Sequence, residues 1–443
     1  MNGYNTYAQS QIITENPVRK EPSAVQRQYY AYLKRLLHQV KWDDGKYAKA
    51  QLSFYESVLC GEDGPASLGQ DLEPIRPFCY LIPFDVIALL SFRRRSLLPR
   101  KLEHITDAIA ANFKLPSDAK KLLRRAFAAA QVQDPNVWRS LLRNSWTVAF
   151  HDYLRFVRDN LTFSREAPYP ILITATMSAG KSTLINAFVG KNISLTQNMA
   201  CTSKIHTIVS KFSEDGITTE YDYELSVDAS REDLLTDNAN NETTQIVVST
   251  CFHGPMKGQR ILIHDSPGVN SSENAEHAVI TNRLIQSRRY RLLLYVLNAT
   301  QLGTTDEARH LEHIAHAIGR RKVLFVMNKC DHLISEDESL PDVIARQQEF
   351  LKNCGFKAPI ICPVSARAAF LAKKSQLESL SRLERRELDN FIDKFIQSGL
   401  GDYYEKELGC TPIPAAEDEV ESLYRDCGLA YLERIIMQYK EER

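Results

Sequence analysis

The sequence predicts an α/β fold: a doubly wound, mainly parallel sheet preceded by an all-α helical domain. Apolar side chains recur at helical spacing over residues 21–165, whereas from about residue 166 short apolar runs alternate with helical segments. Such runs are typical of buried parallel strands joined by right-handed helical crossovers. We therefore expect a mobile polar tail at 1–20, a helical domain at 21–165, and an α/β domain at 166–443 with a helical insertion at about 368–425.

Three helices are predicted in the helical domain. The first begins at Ser23, which fits a capping box with Gln26, and the second begins near Ser117. The third follows Asp134-Pro135, the usual cap and first position of a helix. The apolar side chains of each helix form a stripe, which predicts a bundle core rather than a binding surface. The three stripes are Val25, Tyr29, Leu33, Leu36, Leu37 and Val40; Leu122, Leu123, Ala126, Phe127 and Ala130; and Trp138, Leu142, Trp146, Ala149, Tyr153 and Phe156.

Strands of two kinds are predicted after residue 166. Continuous apolar runs are typical of buried parallel strands, whereas runs interrupted by polar residues suggest added, more antiparallel strands. The first kind comprises PILITAT, RILIHDS, LLLYVLNA, KVLFVMNK and PIICPVS, and the second comprises HTIVSKF, TTEYDYEL and TQIVVSTCF.

Composition excludes several classes of protein. The 55 basic residues balance the 55 acidic ones, so no global field attracts nucleic acid or a membrane. The nine cysteines form no CxxC pair, and their odd number argues against a disulfide framework, which indicates a reducing, cytoplasmic environment. The N-terminal residues lack the apolar core of a signal peptide. The apolar stretch at 78–92 is too short to span a bilayer and contains Asp85.

A phosphate-binding loop is predicted between the first strand and the following helix. Residues 175–182, ATMSAGKS, match the Walker A pattern GxxxxGK[ST] with Ala175 in place of the first glycine. Gly180 would let the backbone curl around phosphate, Lys181 would reach the β and γ oxygens, and Ser182 would ligate Mg²⁺. The nucleotide contacts predicted in this loop are Met177, Ala179, Gly180, Lys181, Ser182 and Thr183.

Two further elements extend the phosphate and metal site. Asp265 ends an apolar run and begins a DxxG pattern that closes at Gly268. The aspartate would hold Mg²⁺ through water, and the glycine N–H would sense the γ-phosphate. Thr202, or alternatively Thr196, lies between the two motifs, where a threonine can ligate Mg²⁺ when a γ-phosphate is present. His264 is interpreted as a strand residue without a catalytic role.

Guanine recognition is predicted at the segment NKCD, residues 328–331, which ends a strand. The Asp331 carboxylate can accept hydrogen bonds from the N1–H and N2–H₂ edge of guanine, an edge that adenine lacks. The segment SAR at 365–367 would support the base through its backbone. The residues assigned to the base are Asn328, Lys329, Asp331, Ser365, Ala366 and Arg367.

Together these motifs resemble those of the GTPase superfamily, and the run MSAGKSTLINA resembles the dynamin branch in its bacterial form. The resemblance covers about residues 166–443. It implies a P-loop GTPase domain with GTP and GDP as substrate and product, Mg²⁺, and a GTP-dependent homodimer. It also implies that Ser178 stabilises the γ-phosphate and a monovalent cation, and that Ser178, Lys181, Thr202 and Gly268 form the catalytic set.

The sequence departs from the family at three places. Met177 stands where dynamins of the eukaryotic type carry glutamine, and Val269 stands where Ras-like proteins place a water-orienting glutamine. Hydrolysis must therefore use a backbone group, a bound cation or a group donated by a partner. A helix from Gly428 resembles the one that closes a GTPase domain, whereas dynamins continue into a long stalk. The chain is thus expected to be a shortened relative or one part of a longer protein.

Two rival functions share these motifs. One is a slow GTP-dependent switch that docks a partner protein through the N-terminal helices, and the other is a ribosome-assembly GTPase that binds RNA. The segment GEDG at 61–64 has the spacing of an RNA-binding GxxG loop, but its acidic centre would repel phosphate. We therefore expect no nucleic-acid partner. Basic clusters at 93–101 and 288–291 would allow peripheral contact with an anionic membrane, on its cytoplasmic face.

Overall fold

The computed structural model divides into two compact units. A helical unit comprises Met1–Ala167 and Lys211–Ala229, and a sheet unit comprises Pro168–Ser210 and Ser230–Arg443. The residues that the structure describes are 10–42, 46–69, 71–90, 98–131, 134–194, 205–221, 225–230, 232–234, 245–267, 275–287, 289–319, 321–335, 339–396, 400–414, 416 and 418–442.

Amphipathic helices with buried apolar faces build most of the helical unit. Helices begin at Ser23 and Ser117, as the sequence predicts, and their predicted stripes are largely buried. The helices are α1 Ser10–Thr14, α2 Ser23–Gln39, α3 Lys46–Cys60, α4 Ile82–Leu90, α5 Leu98–Asn112, α6 Ser117–Gln131, α7 Pro135–Leu142 and α8 His151–Arg165, with 3₁₀ helices at Pro17–Lys20, Gly61–Asp63, Glu73–Tyr80 and Ser145–Phe150.

A buried carboxylate ties several of these helices together. Asp85 of α4 accepts hydrogen bonds from the hydroxyls of Tyr29 (2.6 Å) and Tyr55 (3.1 Å) and from Asn16 Nδ2 (3.0 Å). Burial raises the pKa of Asp85 to about 7, although the three donors act in the opposite direction. The residue that breaks the apolar stretch at 78–92 is therefore part of the core of this unit.

The start of α2 corrects the predicted capping box. Pro22 is the N-cap, and Ser23 is already the first helical residue, so its hydroxyl is not at the capping position. The Gln26 side chain instead donates to the Glu21 carbonyl at 2.7 Å. Because proline has no side-chain acceptor, this helix begins without a side-chain cap.

The predicted mobile tail is wrong for residues 10–20, while residues 1–9 lie outside the described part of the chain. Helix α1 and the following 3₁₀ helix bury Ile12, Ile13 and Val18 completely or nearly so. The Tyr153 hydroxyl donates to the Ile12 carbonyl at 3.0 Å. These few apolar side chains outweigh the polar composition of the segment, because each buried one contributes about 1.5–3 kcal/mol.

The predicted third helix is interrupted. It begins at Pro135, as expected, but ends at Leu142, and the Asn144 side chain accepts a hydrogen bond from Trp146 N (3.0 Å) to start the 3₁₀ helix before α8. This interruption removes Trp146 from the predicted buried stripe and leaves it 41% exposed. An asparagine that caps a new turn competes with continuation of the helix.

The segment Lys211–Ala229 clusters with the helices, although the sequence places it in the α/β domain. It contains two antiparallel strands, β3 Thr219–Tyr221 and β4 Leu225–Ser226. The ring of Phe212 lies 5.8 Å from Phe156 and 5.7 Å from Phe163, both on α8. Such aromatic contacts between distant parts of the chain explain the grouping.

The sheet unit confirms the predicted fold class. Seven of its strands lie in the order β5-β2-β6-β1-β7-β8-β9, and all neighbours are parallel except β2 and β6. The five continuous apolar runs form β1, β6, β7, β8 and β9. The strands are β1 Tyr169–Ala175, β2 Ile205–Ser210, β5 Gln245–Thr250, β6 Ile261–Asp265, β7 Leu292–Asn298, β8 Lys322–Asn328 and β9 Ile361–Val364.

Helices connect and cover these strands. Helix α9 follows β1 directly, as a crossover fold requires. No helix among the described residues is both long and apolar enough to cross a bilayer. The helices are α9 Lys181–Val189, Ala275–Gln286, Thr305–Ile318, Leu340–Asn353, Ala366–Leu377, Arg382–Phe395, Leu400–Lys406, Glu419–Asp426 and Leu429–Glu441, with 3₁₀ helices at Gly254–Met256 and Cys330–Ser335.

Candidate nucleotide-binding site

The predicted site residues follow the carboxyl ends of four parallel strands. Strand β1 leads into the phosphate loop, β6 ends at Asp265, β8 ends at Asn328, and β9 ends one residue before Ser365. The strand register places Ile173 beside Asp265 and Asn328 beside Val364. Parallel pairing therefore brings the motifs to one edge of the sheet, which is where open α/β sheets bind ligands.

Two residues of the phosphate loop have positive φ. Gly180 adopts a left-handed conformation (φ 86°) as the N-cap of α9, and Ser178 also has positive φ (60°). Residues Ser182 and Thr183 lie in the first turn of α9, so the helix N-terminus faces the loop. Met177 and Ser178 are exposed, whereas Ala179 is buried. A non-glycine residue at positive φ is uncommon and often marks a functional turn.

Lys181 and Asp265 form an ion pair between the phosphate loop and the end of β6. Both side chains are largely buried, so the pair is shielded from solvent. The Ser194 hydroxyl lies 3.4 Å from the other carboxylate oxygen of Asp265. Each charge thus has a partner in this arrangement, and an arriving phosphate or metal ion must replace one of the two.

Asn186 and Ser194, which sequence reasoning missed, form a hydrogen-bond network that fixes the chain after α9. Asn186 is buried and accepts hydrogen bonds from Ile193 N (3.0 Å) and Ser194 N (2.7 Å), and its amide donates to the Ser194 carbonyl (2.9 Å). This network positions the Ser194 hydroxyl near Asp265. The signal in the sequence was an asparagine inside the apolar run LINAF, because a buried amide needs partners.

Asn328 connects the phosphate loop to the base-recognition segments. Its amide donates to the Ala179 carbonyl at 2.9 Å, and its carbonyl oxygen accepts from Ala366 N at 3.0 Å. A Cβ at position 180 would clash with Asn328 Nδ2, so glycine at 180 is required both by this contact and by its positive φ. In this structure Asn328 is a positioning residue, since both ends of its amide bind protein backbone.

Asp331 and Ser365 meet across the base-recognition side. The Ser365 hydroxyl donates to Asp331 Oδ1 at 2.7 Å, and Ser365 also caps the helix Ala366–Leu377. Lys329 has positive φ (67°), which turns the chain sharply between Asn328 and Asp331. The Arg367 side chain is paired within the protein, because it donates two hydrogen bonds to the Glu387 carboxylate (2.9 and 2.6 Å). Only the backbone of Arg367 remains a candidate for contact with the base.

The chemistry of the donor set fits Mg²⁺. A serine hydroxyl at the first turn of α9 and a carboxylate at the end of β6 are hard oxygen ligands of the type that this ion prefers. His264, next to Asp265, does not add a ligand. Burial lowers the pKa of His264 to about 4, and its Nδ1 lies 3.1 Å from the Thr207 hydroxyl. A neutral histidine hydrogen-bonded to the neighbouring strand agrees with its interpretation as a strand residue.

Four sequence candidates lie outside the described residues. They are Thr196, Thr202, Gly268 and Val269, which belong to the segments 195–204 and 268–274. Their roles therefore stay predictions. The site as described comprises the phosphate loop, Asp265, and the two base-recognition segments.

Comparison with known proteins supports the family resemblance for part of the chain. Residues 171–330 match the family model described as "Dynamin family". This segment runs from β1 through the phosphate loop and Asp265 to the NKCD segment. The predicted resemblance to dynamin-like GTPases is therefore confirmed over this segment.

Two curated relatives carry related names. A dynamin-like protein 1 of Campylobacter jejuni subsp. jejuni is 25% identical over 280 residues, which cover 52% of this chain and 38% of the relative. A protein of Arabidopsis thaliana described as a probable transmembrane GTPase, FZO-like and chloroplastic, is 24% identical over 306 residues, covering 62% and 30%. The alignments thus span less than half the length of either relative.

Solved structures give weaker similarity. One solved structure is described as an oligomerised bacterial dynamin pair that provides a mechanism for the long-range sensing and tethering of membranes. It aligns with 97% of this chain and 62% of its own, at 16% identity and a TM-score of 0.36. Aquifex aeolicus Era bound to GDP and aluminium fluoride aligns with 44% of this chain and 50% of its own, at 17% identity and a TM-score of 0.27.

Proposed function

We propose that the sheet unit binds GTP and GDP with Mg²⁺ and hydrolyses GTP to GDP and phosphate. The observation that carries this proposal is the connection of the motifs through Asn328, which binds the backbone of the phosphate loop and of the SAR segment. If the Walker A match were due to chance, no hydrogen bond between this loop and the NKCD segment would be expected. The dynamin-family match over 171–330 supports the same conclusion.

Phosphate binding would proceed by exchange of partners. The β and γ oxygens carry more negative charge than one carboxylate, so they attract Lys181 away from Asp265. The released Asp265 carboxylate then becomes available to the metal through water, together with the Ser182 hydroxyl. Mg²⁺, when bound, neutralises charge on the β and γ phosphates. The backbone N–H groups of the loop and of the first turn of α9 add donors that need no such exchange.

Base selection would rest on Asp331. Its Oδ1 already accepts from Ser365, which fixes the orientation of the carboxylate. A fixed carboxylate can accept from both donors on the guanine edge, whereas adenine offers no matching pair. The amide of Asn328 and the turn at Lys329 would hold this carboxylate at a fixed position relative to the phosphate loop. Guanine nucleotides would therefore bind and adenine nucleotides would be rejected.

Hydrolysis would depend on a second copy of the chain. Neither Val269 nor Met177 carries a group that can polarise water, and Met177 is 47% exposed. Closing a partner over the nucleotide would exclude water and order the loops around it, and each 1.4 kcal/mol of barrier removed is about a tenfold gain in rate. We therefore propose a monomer with GDP and a dimer in the transition state. Ser178 and a monovalent cation would stabilise the negative charge on the γ-phosphate.

The test is the rate of phosphate release as a function of protein concentration, combined with light scattering. Specific activity should rise with concentration, and the chain should be monomeric with GDP and dimeric with GDP and aluminium fluoride. The Lys181→Ala chain measures background hydrolysis. Tight GTP binding with negligible, concentration-independent turnover and one monomeric state would favour the rival account, a slow switch that docks a partner protein.

A peripheral contact with anionic membranes is the sequence-based part of this proposal. The clusters at 93–101 and 288–291 extend beyond the described residues, so their charge is known only from the sequence. Each basic residue near an acidic surface contributes about 1 kcal/mol. Liposomes containing anionic lipid should therefore raise the GTPase rate at low protein concentration, and neutral liposomes should not.

A further inference from the structure

The helical unit contains a cavity of about 510 Å³ between α7 and α8, and none of its lining residues belongs to the candidate nucleotide site. Its volume lies within the usual range for small-molecule sites. The described lining includes three arginines and no acidic residue. The lining residues are Pro135, Trp138, Arg139, Leu142, Arg143, Arg158 and Thr162.

The three guanidinium groups are only partly neutralised. Arg158 donates to Asp159 Oδ1 at 2.8 Å, and Arg139 has one long contact with Asn136 Oδ1 at 3.4 Å. The Arg143 side chain makes no hydrogen bond or ion pair with any residue that the structure describes. A concave site with this excess of planar donors is suited to phosphate oxygens, which arginine can bind in pairs.

Trp138 belongs to the apolar part of the cavity lining. Trp138 is only 2% exposed and stacks on Phe84, with ring centroids 5.7 Å apart. Its indole Nε1 is buried and has no acceptor among the described residues. A buried tryptophan N–H normally finds a partner, and leaving one unpaired is unfavourable. The indole ring, Leu142 and Pro135 would contact an apolar part of a ligand in the cavity.

We propose that this cavity is a second anion site, which binds a phosphate group attached to an apolar moiety. The arginines would hold the phosphate, and the apolar lining would contact the attached group. The chemistry is shared by soluble phosphate esters and by lipid headgroups with a terminal phosphate. This cavity shares no lining residue with the candidate nucleotide site, and binding to it would not depend on GTP hydrolysis.

The test uses the chain saturated with GDP, so that the phosphate loop is occupied, and repeats each titration in a Lys181→Ala background. Calorimetry with inorganic phosphate and with phenyl phosphate tests the soluble source. Co-sedimentation with phosphatidylcholine vesicles, with and without phosphatidic acid, tests the lipid source. Phenyl phosphate should bind more tightly than inorganic phosphate, because only phenyl phosphate reaches the apolar lining.

The double variant Arg139→Gln and Arg143→Gln should lower the affinity for whichever of these probes binds by at least tenfold. Its affinity for GDP should be unchanged. Arg155→Gln is the matched control, because Arg155 lies on α8, is paired with Asp152 at 2.7 Å and does not line the cavity. Binding of vesicles alone assigns the site to a lipid headgroup, and binding of soluble probes alone assigns it to a soluble ester. Absence of binding by all probes, or equal loss in the control, would overturn the proposal.

Discussion

The base half and the phosphate half of the candidate site differ in how their polar groups are paired. On the base side, Asn328, Asp331 and Ser365 are hydrogen-bonded into an arrangement that leaves the Asp331 carboxylate oriented for a ligand. On the phosphate side, Lys181 and Asp265 are bonded to each other. The base half is therefore preorganised, whereas the phosphate half must exchange partners when a ligand arrives. Affinity for the base should be sensitive to geometry, and affinity for the phosphates should be sensitive to charge.

The largest effect is expected at the phosphate side. Lys181→Ala removes the charge over the β and γ oxygens and leaves Asp265 without its counter-charge, so GTP hydrolysis should fall by about 100- to 1000-fold. Phosphate release measures this, and circular dichroism checks that the chain remains folded. Lys257→Ala, at an exposed lysine in the sheet unit, is the control. Wild-type turnover in the Lys181 variant would show that the loop does not bind the reacting phosphates.

A second large effect is expected at the base side. Asp331→Asn replaces a charged acceptor with an amide, so GDP affinity should fall by roughly 100-fold, since hydrogen bonds to charged groups contribute about 1.5–3 kcal/mol each. Xanthosine diphosphate should gain affinity, because its edge offers the complementary acceptor to the new amide. Competition titration of both nucleotides provides the measurement. Equal loss for both nucleotides would mean that Asp331 acts only through the fold.

A substitution at Gly180 tests the link between the two halves. Gly180→Ala introduces a Cβ against the Asn328 amide, and it places alanine at positive φ, which costs about 1–2 kcal/mol by itself. Gly258→Ala is the matched control, because Gly258 has a φ of +67° and no atom within 4 Å of the added Cβ. GDP affinity should fall at least about tenfold in the first variant and stay unchanged in the second. Similar affinities in both would contradict a positioning role for Asn328.

The smallest effect is expected at Ser365. Ser365→Ala removes the hydrogen bond to Asp331 Oδ1, so GDP affinity should fall about five- to tenfold, as expected for about 1 kcal/mol. Ser339→Ala controls for loss of a helix cap, because Ser339 caps the helix Leu340–Asn353 in the same unit. An unchanged affinity in the Ser365 variant would indicate that the carboxylate is oriented by other contacts.

The sequence predicted the sheet unit better than the helical unit, for a physical reason. Buried parallel strands are short apolar runs with local signatures, and all five were recognised. The interruption at Asn144 depends on one cap competing with a continuous apolar stripe, and the docking of Phe212 on α8 depends on contacts between residues about fifty positions apart. Neither kind of feature is visible in local periodicity.

At the candidate site, residue types and their order were predictable, but pairing was not. The Walker A, Asp265 and NKCD motifs indicated which side chains would meet at the strand ends. That Lys181 pairs with Asp265, that Ser365 pairs with Asp331, and that Asn328 binds Ala179 follow from three-dimensional distances. Asn186 was recognisable in principle as a polar residue in an apolar helix, although its partners at 193 and 194 were not.

The most direct test of a preorganised guanine site is the ratio of GDP to ADP affinity in the unmodified chain, measured by calorimetry in the same Mg²⁺ buffer. The two ligands present identical phosphates to Lys181, so any difference in affinity reports the base half alone. We predict that GDP binds at least about 100-fold more tightly than ADP, as expected for a site built to pair with donors that adenine lacks. Equal affinities for GDP and ADP would contradict it.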